Sequence, residues 1–430
     1  MNESRSSLRA GSILSVVNTP PFMQKRNPYD PNEYDEQAYG ARILNPLAAN
    51  AADSNTNTDH INGSLGFTVD ILKGLKFKTT FGIELTNEHW DYYLDPISTS
   101  DGRGTKGRVE ESFSRNFEWL FENLLTYDCS FNKHNLSILG GATQQRAQYN
   151  GSWMAGFDLA ESYPDIHSIS AANQLDKDAC GSSASAWTLA SFLGRVAYNY
   201  DSRYLLTVNF RADGSSRFAK ENKWGNFPSV SVGWRFSDEK FMKFSKKFLE
   251  DGKIRASFGI TGNEAIGNYD YIYSYSPNSI YDGVGGVIPT RIGKDNLKWE
   301  ETKQFNLGLD LNFWNSRLTV TADYYDKYTD GLLANYQLPK ESGFAYMKTN
   351  VGEMSNRGFE IAVTGDIIRT KDWKWNASFN ISRNINRIEK LSEGKAYMEG
   401  DIWWMQEGGR VGDFYGFKSA GVFAYDESNA

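Results

Sequence analysis

The stretch SRYLLTVNFRAD, residues 202–213, alternates between apolar and polar side chains along most of its length. In an extended chain, one face carries Tyr204, Leu206, Val208 and Phe210. The other face carries Leu205, Thr207, Asn209, Arg211 and Asp213. A period of two is typical of a β-strand with one dry and one wet side. A soluble β-protein packs the apolar face on a core, whereas an outer-membrane barrel turns it to lipid and lines its lumen with the polar face.

Segments with this period recur along the whole chain and predict about twelve strands of roughly ten residues each. They are Leu65–Ile71, Leu75–Leu85, Phe117–Tyr127, His134–Ala142, Phe192–Tyr200, Tyr204–Asp213, Phe227–Phe236, Ile254–Gly262, Thr302–Phe313, Leu318–Lys327, Gly358–Ile367 and Trp373–Ser382. One amphipathic helix is predicted, around Glu239–Glu250. The chain is therefore predicted to be all-β, with antiparallel strands joined by turns.

The connections between these strands alternate between short and long. Short turns are predicted at 72–74, 128–133, 201–203, 314–317 and 368–372, with an intermediate connection at 238–252. Long loops are predicted at 86–115, 144–187, 214–226, 263–300, 328–355 and 385–410. This alternation places every long loop at one end of the sheet. It is typical of an outer-membrane barrel, which has short periplasmic turns and long extracellular loops.

Comparison of the two faces across several strands indicates which side is dry. The apolar face carries Val196, Tyr198, Leu206, Val208, Phe210, Val230, Val232, Trp234, Leu307, Leu309, Leu311, Phe359, Ile361 and Val363. The polar face carries Arg195, Asn199, Thr207, Asn209, Arg211, Ser231, Gly233, Arg235, Asn306, Gly308, Asp310, Asn312, Glu360 and Thr364. Aromatic residues mark the short turns, as in an interfacial girdle: Tyr127, Phe131, Tyr200, Tyr204, Phe313, Trp314, Trp373 and Trp375. We therefore expect lipid on the apolar face and a wet lumen on the polar face.

Composition excludes several other classes of protein. The net charge of −7 offers no basic surface for nucleic acid. No window approaches eighteen consecutive apolar residues, so no transmembrane helix is predicted. Cys129 and Cys180 leave both a free and a disulfide-bonded state open. A soluble secreted β-sandwich remains a further alternative.

No catalytic or metal-binding pattern is found, and the chain is predicted not to be an enzyme. The sequence has no HExxH motif and no GxSxG elbow. Its histidines fall in or beside turns and loops, and they are His60, His89, His134 and His167. The acidic stretch Tyr29–Gly40 misses the spacing of a calcium loop, and a solvated loop is preferred there. We predict no cofactor and no metal.

Four long motifs give the chain a resemblance to a known family. They are RYLLTVNFRADGSSRFAKENKWGNFPSVSVGWRFSDEKF followed by IRASFGITGNEAIGNY, LKWEETKQFNLGLDLNFWNSRLTVTADYYDKYTDGLL, the run from NVGEMSNRGFEI to FNISRNINRIEKL, and GGRVGDFYGFKSAGVFAYDE. They resemble the β-barrel of the SusC/RagA-type TonB-linked outer-membrane transporters. The resemblance implies a barrel of about 22 strands around an N-terminal plug. Residues 1–430 are then expected to be barrel domain alone, an internal fragment of twelve or thirteen strands that is incomplete at both ends.

The family resemblance also implies a function and partners. Its members import large nutrients across the outer membrane, usually oligosaccharides and sometimes peptides. A SusD-like surface lipoprotein caps the barrel, and the TonB complex supplies energy through the plug. We therefore expect TonB-dependent uptake of a large nutrient, with an oligosaccharide preferred. The alternative is a passive porin-like or adhesive barrel.

Eight residues are candidates for contact with the substrate. Arg211 and Asp213 lie on the polar face near the outer rim, and a structural ion pair across neighbouring strands is the preferred interpretation. Six aromatic residues are predicted to lie in loops, where flat rings can stack on sugar rings: Trp153, Trp224, Tyr269, Tyr271, Trp403 and Trp404. Packing against neighbouring loops or the lipoprotein is an equally good interpretation of each.

Overall fold

The computed structural model describes residues 19–35, 45–49, 51–159, 167–281, 284–391, 394–400 and 402–419, together with residues 16 and 421. The chain forms two compact units. The first comprises Met1–Leu65, Thr80–Phe121 and Gln145–Trp187. The second comprises Gly66–Thr79, Glu122–Gln144 and Thr188–Ala430. No described helix is long and apolar enough to cross a membrane.

The described residues form twenty strands and a few short helices. The strands are β1 Asp53–Leu72, β2 Leu75–Leu94, β3 Arg108–Phe131, β4 His134–Leu159, β5 Ala172–Leu175, β6 Gly181–Tyr200, β7 Tyr204–Ser215, β8 Trp224–Trp234, β9 Leu249–Asn263, β10 Ser274–Tyr281, β11 Val284–Arg291, β12 Glu300–Phe313, β13 Leu318–Asp330, β14 Leu333–Gln337, β15 Tyr346–Asn350, β16 Glu353–Arg369, β17 Lys374–Lys390, β18 Tyr397–Glu399, β19 Trp403–Met405 and β20 Asp413–Phe414. The α-helices are α1 Pro46–Ala49 and α2 Ser100–Thr105. The 3₁₀ helices are Ile169–Ala171, Lys177–Ala179, Lys220–Asn222, Phe236–Asp238, Lys240–Lys247 and Lys340–Ser342.

One large sheet contains all twelve predicted strands in chain order. Its strand order is β1-β2-β3-β4-β6-β7-β8-β9-β12-β13-β16-β17, and β5 pairs with β4. The smaller sheets are β10-β11, β14-β15 and β18-β19-β20. The pairs from β6 to β9 and from β12 to β17 are antiparallel. The prediction of an all-β antiparallel architecture is confirmed.

The strands are longer than the hydrophobic pattern predicted. β3 has 24 residues and β4 has 26, whereas roughly ten cross a membrane. Their backbone ladders continue into polar sequence, because ladder hydrogen bonds do not depend on side-chain hydrophobicity. The loops predicted at 86–115 and 144–187 are therefore too long. The helix predicted around Glu239–Glu250 is present but shorter, as the 3₁₀ helix Lys240–Lys247.

Cross-strand register in the second unit gathers the apolar side chains into rows. One row runs Val196, Val208, Val230, Phe258 and Phe305. These side chains are 39% to 45% exposed, so no described part of the chain covers them. A soluble sandwich would bury such a row in its core. The exposed row instead favours lipid as its neighbour.

The turn between β1 and β2 shows why short connections need special residues. Gly74 has φ of +81°. A Cβ at this position would lie 2.2 Å from the carbonyl oxygen of Asp128. The Asp128 backbone N–H donates to the Gly74 oxygen at 2.8 Å, which ties this turn to the end of β3. Only glycine allows this close approach in the left-handed region.

Candidate functional site: the polar face and the outer loops

A charged cluster lies on the polar face of strands β9, β12 and β13. The Arg255 guanidinium donates to both oxygens of Asp310, at 2.9 and 3.1 Å. It also donates to Asp323 at 2.9 Å. Lys253 adds a longer contact of 4.0 Å to Asp310. Each of these side chains is about one-third exposed, as expected where a sheet borders water rather than lipid.

Gly308 makes the charged cluster possible. It lies in register with both Arg255 and Asp323, on the strand between them. A Cβ at Gly308 would lie 2.5 Å from the guanidinium carbon of Arg255 and 2.7 Å from a carboxylate oxygen of Asp323. The absence of a side chain therefore lets Arg255 cross β12 and reach carboxylates on two strands.

Arg211 and Asp213 do form an ion pair, but within a single strand. The Arg211 Nε donates to both oxygens of Asp213, at 2.7 and 2.8 Å. The guanidinium also donates to Ser191 Oγ at 3.1 Å on the neighbouring strand β6. The prediction of a pair across neighbouring strands is wrong in this detail. Residues two apart share one face of a strand, and the arginine is long enough to span that spacing.

The long loops of the second unit enclose a hydrophobic core of their own. Its buried residues are Phe218, Phe227, Ile266, Leu297 and Trp299. Trp299 Nε1 donates to the Lys223 carbonyl oxygen at 2.9 Å. Tyr271 packs against this core, so its predicted place in a loop is correct but much of its ring is engaged. No motif predicted this core, because its members come from four separate connections and strand ends.

Tyr269 lies in the same loop as Tyr271 and is 40% exposed. Its carbonyl oxygen accepts a hydrogen bond of 2.7 Å from Arg291. Arg291 also pairs with Asp270 at 3.3 Å. Arg291 therefore fixes this loop through its backbone and Asp270, while the Tyr269 side chain remains partly exposed.

Trp153 and Trp224 lie in strands, not in loops as predicted. Trp153 is within β4, with its ring over Gly181. Trp224 begins β8, an even number of residues from Val230, and therefore lies on the apolar face. Its ring stacks on Phe192 at 5.9 Å. The position of Trp224 suits the outer aromatic girdle better than sugar contact.

Trp403 and Trp404 lie in the short strand β19, and each stacks on an aromatic ring. Trp403 stacks on Phe414 and Trp404 on Tyr415, both at 4.8 Å between ring centroids. Phe414 remains 78% exposed and Tyr415 57% exposed. We call these four residues the aromatic platform. It offers flat faces on both sides of a small sheet.

A pocket of about 340 Å³ adjoins the aromatic platform. Its apolar lining includes Leu332, Tyr336, Ile388, Tyr397, Met405 and Val411. At its rim, Lys390 pairs with Glu353 at 3.4 Å. Tyr328 donates a short hydrogen bond to Glu353 at the outer ends of β13 and β16, which raises the pKa of Tyr328 to about 12. The same bond lowers the pKa of Glu353.

The first unit contains a larger and more polar groove, of about 770 Å³. Amide, carboxylate, guanidinium and hydroxyl groups line it, from Asn57, Asp59, Asn87, Arg115, Asn150 and Ser182. His89 stacks on Phe113 in its wall at 4.3 Å. Sequence reasoning missed this groove because its lining comes from five strands with no common motif.

The remaining sequence features have modest structural roles. Cys129 and Cys180 are both free thiols in the structure. In the stretch Tyr29–Gly40, Asp35 is buried and accepts a 3.2 Å hydrogen bond from the Gln24 backbone. Residues 36–40 lie outside the described residues. The predictions of no metal and no cofactor stay predictions.

Comparison with known proteins identifies the class of protein to which this chain belongs. A family model described as TonB dependent receptor-like, beta-barrel matches residues 10–409. The chain therefore belongs to this family of outer-membrane β-barrel receptors. Within the family it is of the SusC/RagA type, as three relatives indicate. The family resemblance inferred from the four sequence motifs is confirmed.

The relatives are similar over most of this chain. TonB-dependent receptor P39 of Formosa agariphila is 37% identical over 388 residues, covering 90% of this chain and 37% of that protein. TonB-dependent receptor SusC of Bacteroides thetaiotaomicron is 32% identical over 363 residues, covering 81% and 35%. A solved structure of the RagAB peptide transporter has a TM-score of 0.79 at 27% identity, covering 89% of this chain and 43% of that chain. The chain thus spans less than half the length of these relatives.

Proposed function

We propose that this chain contributes the barrel wall of a receptor that imports a large nutrient, an oligosaccharide, across the outer membrane. The transport part of the proposal is supported by the two faces of the sheet. The apolar row suits lipid, while the polar face carries the Arg255 cluster and suits a water-filled passage. Uptake is proposed to depend on the TonB complex and on a SusD-like surface lipoprotein, as the SusC/RagA type implies.

The observation that carries the choice of oligosaccharide is the aromatic platform. Flat aromatic rings exposed in loops provide apolar faces for sugar rings, and Phe414 and Tyr415 are largely exposed. They are held in place by Trp403 and Trp404. A receptor of this kind requires no catalytic group, in keeping with the prediction that the chain is not an enzyme.

Peptide import is the second candidate, because the RagAB structure is described as a peptide transporter. The apolar pocket beside the platform would suit a peptide side chain better than a sugar. An oligosaccharide would therefore bind mainly at the aromatic platform, and a peptide mainly in the pocket beside it. Variants in the platform and in the pocket lining can separate them.

The test is uptake by the native host carrying the full-length receptor. A strain lacking the receptor is complemented with wild-type, Trp404→Ala or Trp373→Ala protein, and uptake of labelled oligosaccharides and labelled peptides is measured. Trp373 is a matched control, since it is 74% exposed at a short turn. Trp404→Ala is expected to raise the half-saturating oligosaccharide concentration about 2- to 12-fold, the equivalent of a lost aromatic contact of about 0.5–1.5 kcal/mol.

Three results would contradict the proposal. Uptake that continues after a protonophore collapses the proton gradient would indicate a passive porin-like barrel. Peptide uptake that needs the receptor, with no oligosaccharide uptake by the wild type, would establish the second candidate. Surface adhesion without uptake of either substrate would indicate an adhesive barrel.

A further inference from the structure

The connection between β8 and β9 contains an exposed amphipathic helix. Its sequence is KFMKFSKK, residues Lys240–Lys247, in 3₁₀ conformation. A 3₁₀ helix has three residues per turn, so residues three apart stand directly above one another. Phe241 and Phe244 form one such ridge, which ends at Lys247, and the two phenylalanines are 61% and 71% exposed. Large apolar side chains this exposed on a short helix call for a partner surface.

The other two ridges of the helix differ sharply from the phenylalanine ridge. One ridge consists of Lys240, Lys243 and Lys246, all exposed. The other contains Met242 and Ser245. Ser245 is 1% exposed and donates to the Met242 carbonyl oxygen at 2.8 Å. The helix is therefore anchored along one ridge and presents phenylalanine and lysine along the other two.

Contacts with the sheet place the phenylalanine ridge beside the apolar face. The ring of Phe241 lies 6.3 Å from Trp234. Trp234 is on the apolar face, in register with Tyr204. Both rings hold Glu239 just before the helix: Tyr204 donates to it at 2.6 Å and Trp234 at 3.3 Å. The exposed phenylalanines thus extend the surface that faces lipid.

The lysines keep their charges available, because nearby acidic groups are already engaged. Lys246 pairs with Asp238 at 3.3 Å. Glu239 is held by the two aromatic donors and lies 3.7 Å from Arg203. Glu250 accepts a hydrogen bond of 3.3 Å from Ser316. Among the described residues, no acidic side chain pairs with Lys240, Lys243 or Lys247.

We propose that this helix is a binding site for anionic phospholipid at the membrane surface. The rings of Phe241 and Phe244 enter the acyl boundary. Lys240 and Lys243 on the lysine ridge, and Lys247 at the end of the phenylalanine ridge, contact the phosphate head groups. A polar ridge of lysine beside an apolar ridge is the arrangement of helices that lie in a membrane interface. The site anchors the short-turn end of the sheet to one leaflet. It depends on the membrane-spanning part of the proposed function, but not on the nutrient.

Lipid is favoured over a protein partner by two features together. The apolar ridge is continuous with the lipid-facing sheet, so both surfaces meet the same bilayer. The acidic groups just before the helix, Asp238 and Glu239, are engaged by other residues, which leaves three lysines with no acidic partner among the described residues. Each lysine near an anionic surface strengthens binding about fivefold. A neutral protein groove would explain the phenylalanines but not the three unpaired lysines. A free phosphate site would explain the lysines but not the phenylalanines.

The experiment measures lipid binding to the purified full-length receptor. The receptor is titrated in detergent with phosphatidylglycerol or phosphatidylethanolamine, and bound lipids are counted by native mass spectrometry. The test variant carries Lys240→Gln, Lys243→Gln and Lys247→Gln. The matched control carries Lys177→Gln, Lys220→Gln and Lys340→Gln, which removes the same charge from exposed sites in the long connections.

The wild type is expected to prefer phosphatidylglycerol, and the test variant to bind it about 100-fold more weakly, from about fivefold for each lysine. The control is expected to bind as the wild type does. Replacing the same three lysines by arginine keeps the charge and should keep the binding. Phe241→Ser with Phe244→Ser should weaken binding of both lipids, because it removes the apolar ridge.

Three outcomes would overturn the proposal. Equal phosphatidylglycerol affinity in the wild type and the test variant would show that the lysines do not bind lipid. An equal loss in the control would show an effect of net charge alone. Displacement of the lipid by millimolar inorganic phosphate would indicate a simple anion site. None of these readouts uses nutrient uptake, so failure here and failure of the transport proposal are distinguishable.

Discussion

An arginine placed on each face of β7 tests which side of the sheet faces lipid. Val208 is 44% exposed on the apolar face, in register with Val196 and Val230. It lies four residues beyond Tyr204, or about 14 Å along the strand. A tilt of about 40° reduces this to about 10 Å of depth. Because the apolar band is about 25 Å tall, Val208 lies near its middle.

Val208→Arg is expected to destabilise the folded receptor by about 2–4 kcal/mol, the cost of a cation at the bilayer midplane. This corresponds to about 30- to 1,000-fold in the ratio of folded to unfolded protein. Thr207→Arg is the matched control. Thr207 is adjacent in sequence but on the polar face, opposite Ala197 and Ser231. We expect Thr207→Arg to change stability by less than about 1 kcal/mol, because water reaches that face.

The assay is guanidinium unfolding of the full-length receptor in lipid vesicles. Val208→Leu serves as a second control, since it changes volume without adding charge and should cost less than about 1.5 kcal/mol. Similar losses for Val208→Arg and Thr207→Arg would refute the assignment of the two faces. A larger loss for Thr207→Arg would reverse it.

Three further predictions concern other parts of the structure. Gly308→Ala should displace the Arg255 guanidinium and destabilise the receptor by about 1–3 kcal/mol in the same unfolding assay. Gly194→Ala is the control and should have little effect, because open space surrounds Gly194. The hydrogen bond from Tyr328 to Glu353 should stabilise the receptor between about pH 5 and pH 10. Its contribution falls in acid, as pH drops through the lowered pKa of Glu353, and in alkali, as pH rises through the pKa of about 12 for Tyr328. The stability difference between wild type and Tyr328→Phe should therefore shrink at both extremes, and a difference independent of pH would contradict this. Phe218→Ala should cost about 3–5 kcal/mol, because its fully buried ring fills the loop core, and a normal melting temperature would show that this core does not stabilise the loops.

The positions of the strands and the sides that they present were predictable from the sequence. Alternation fixes the two faces of a strand, because successive side chains point in opposite directions whatever the neighbours are. All twelve predicted strands are present, and the apolar row through Val208 and Val230 is exposed as a lipid-facing row should be. The short turns were also predictable, because the alternating segments of consecutive strands stop close to each other there.

Strand lengths and local helix type required the three-dimensional structure. β4 continues for 26 residues because its backbone is paired with its neighbours, even where its side chains lose the apolar alternation. The segment Lys240–Lys247 has the spacing of an amphipathic α-helix but is held as a 3₁₀ helix with the buried Ser245 on its inner side. In both places, pairing and packing override the local pattern.

The candidate sites depended on contacts between residues distant in sequence. Arg255 reaches Asp323 only because Gly308 leaves space between them, and the platform exists only because β19 and β20 bring Trp404 against Tyr415. The pattern along a strand determines which way a side chain points. What that side chain meets is set by strand register and by the folding of loops onto one another, which are properties of the tertiary structure alone.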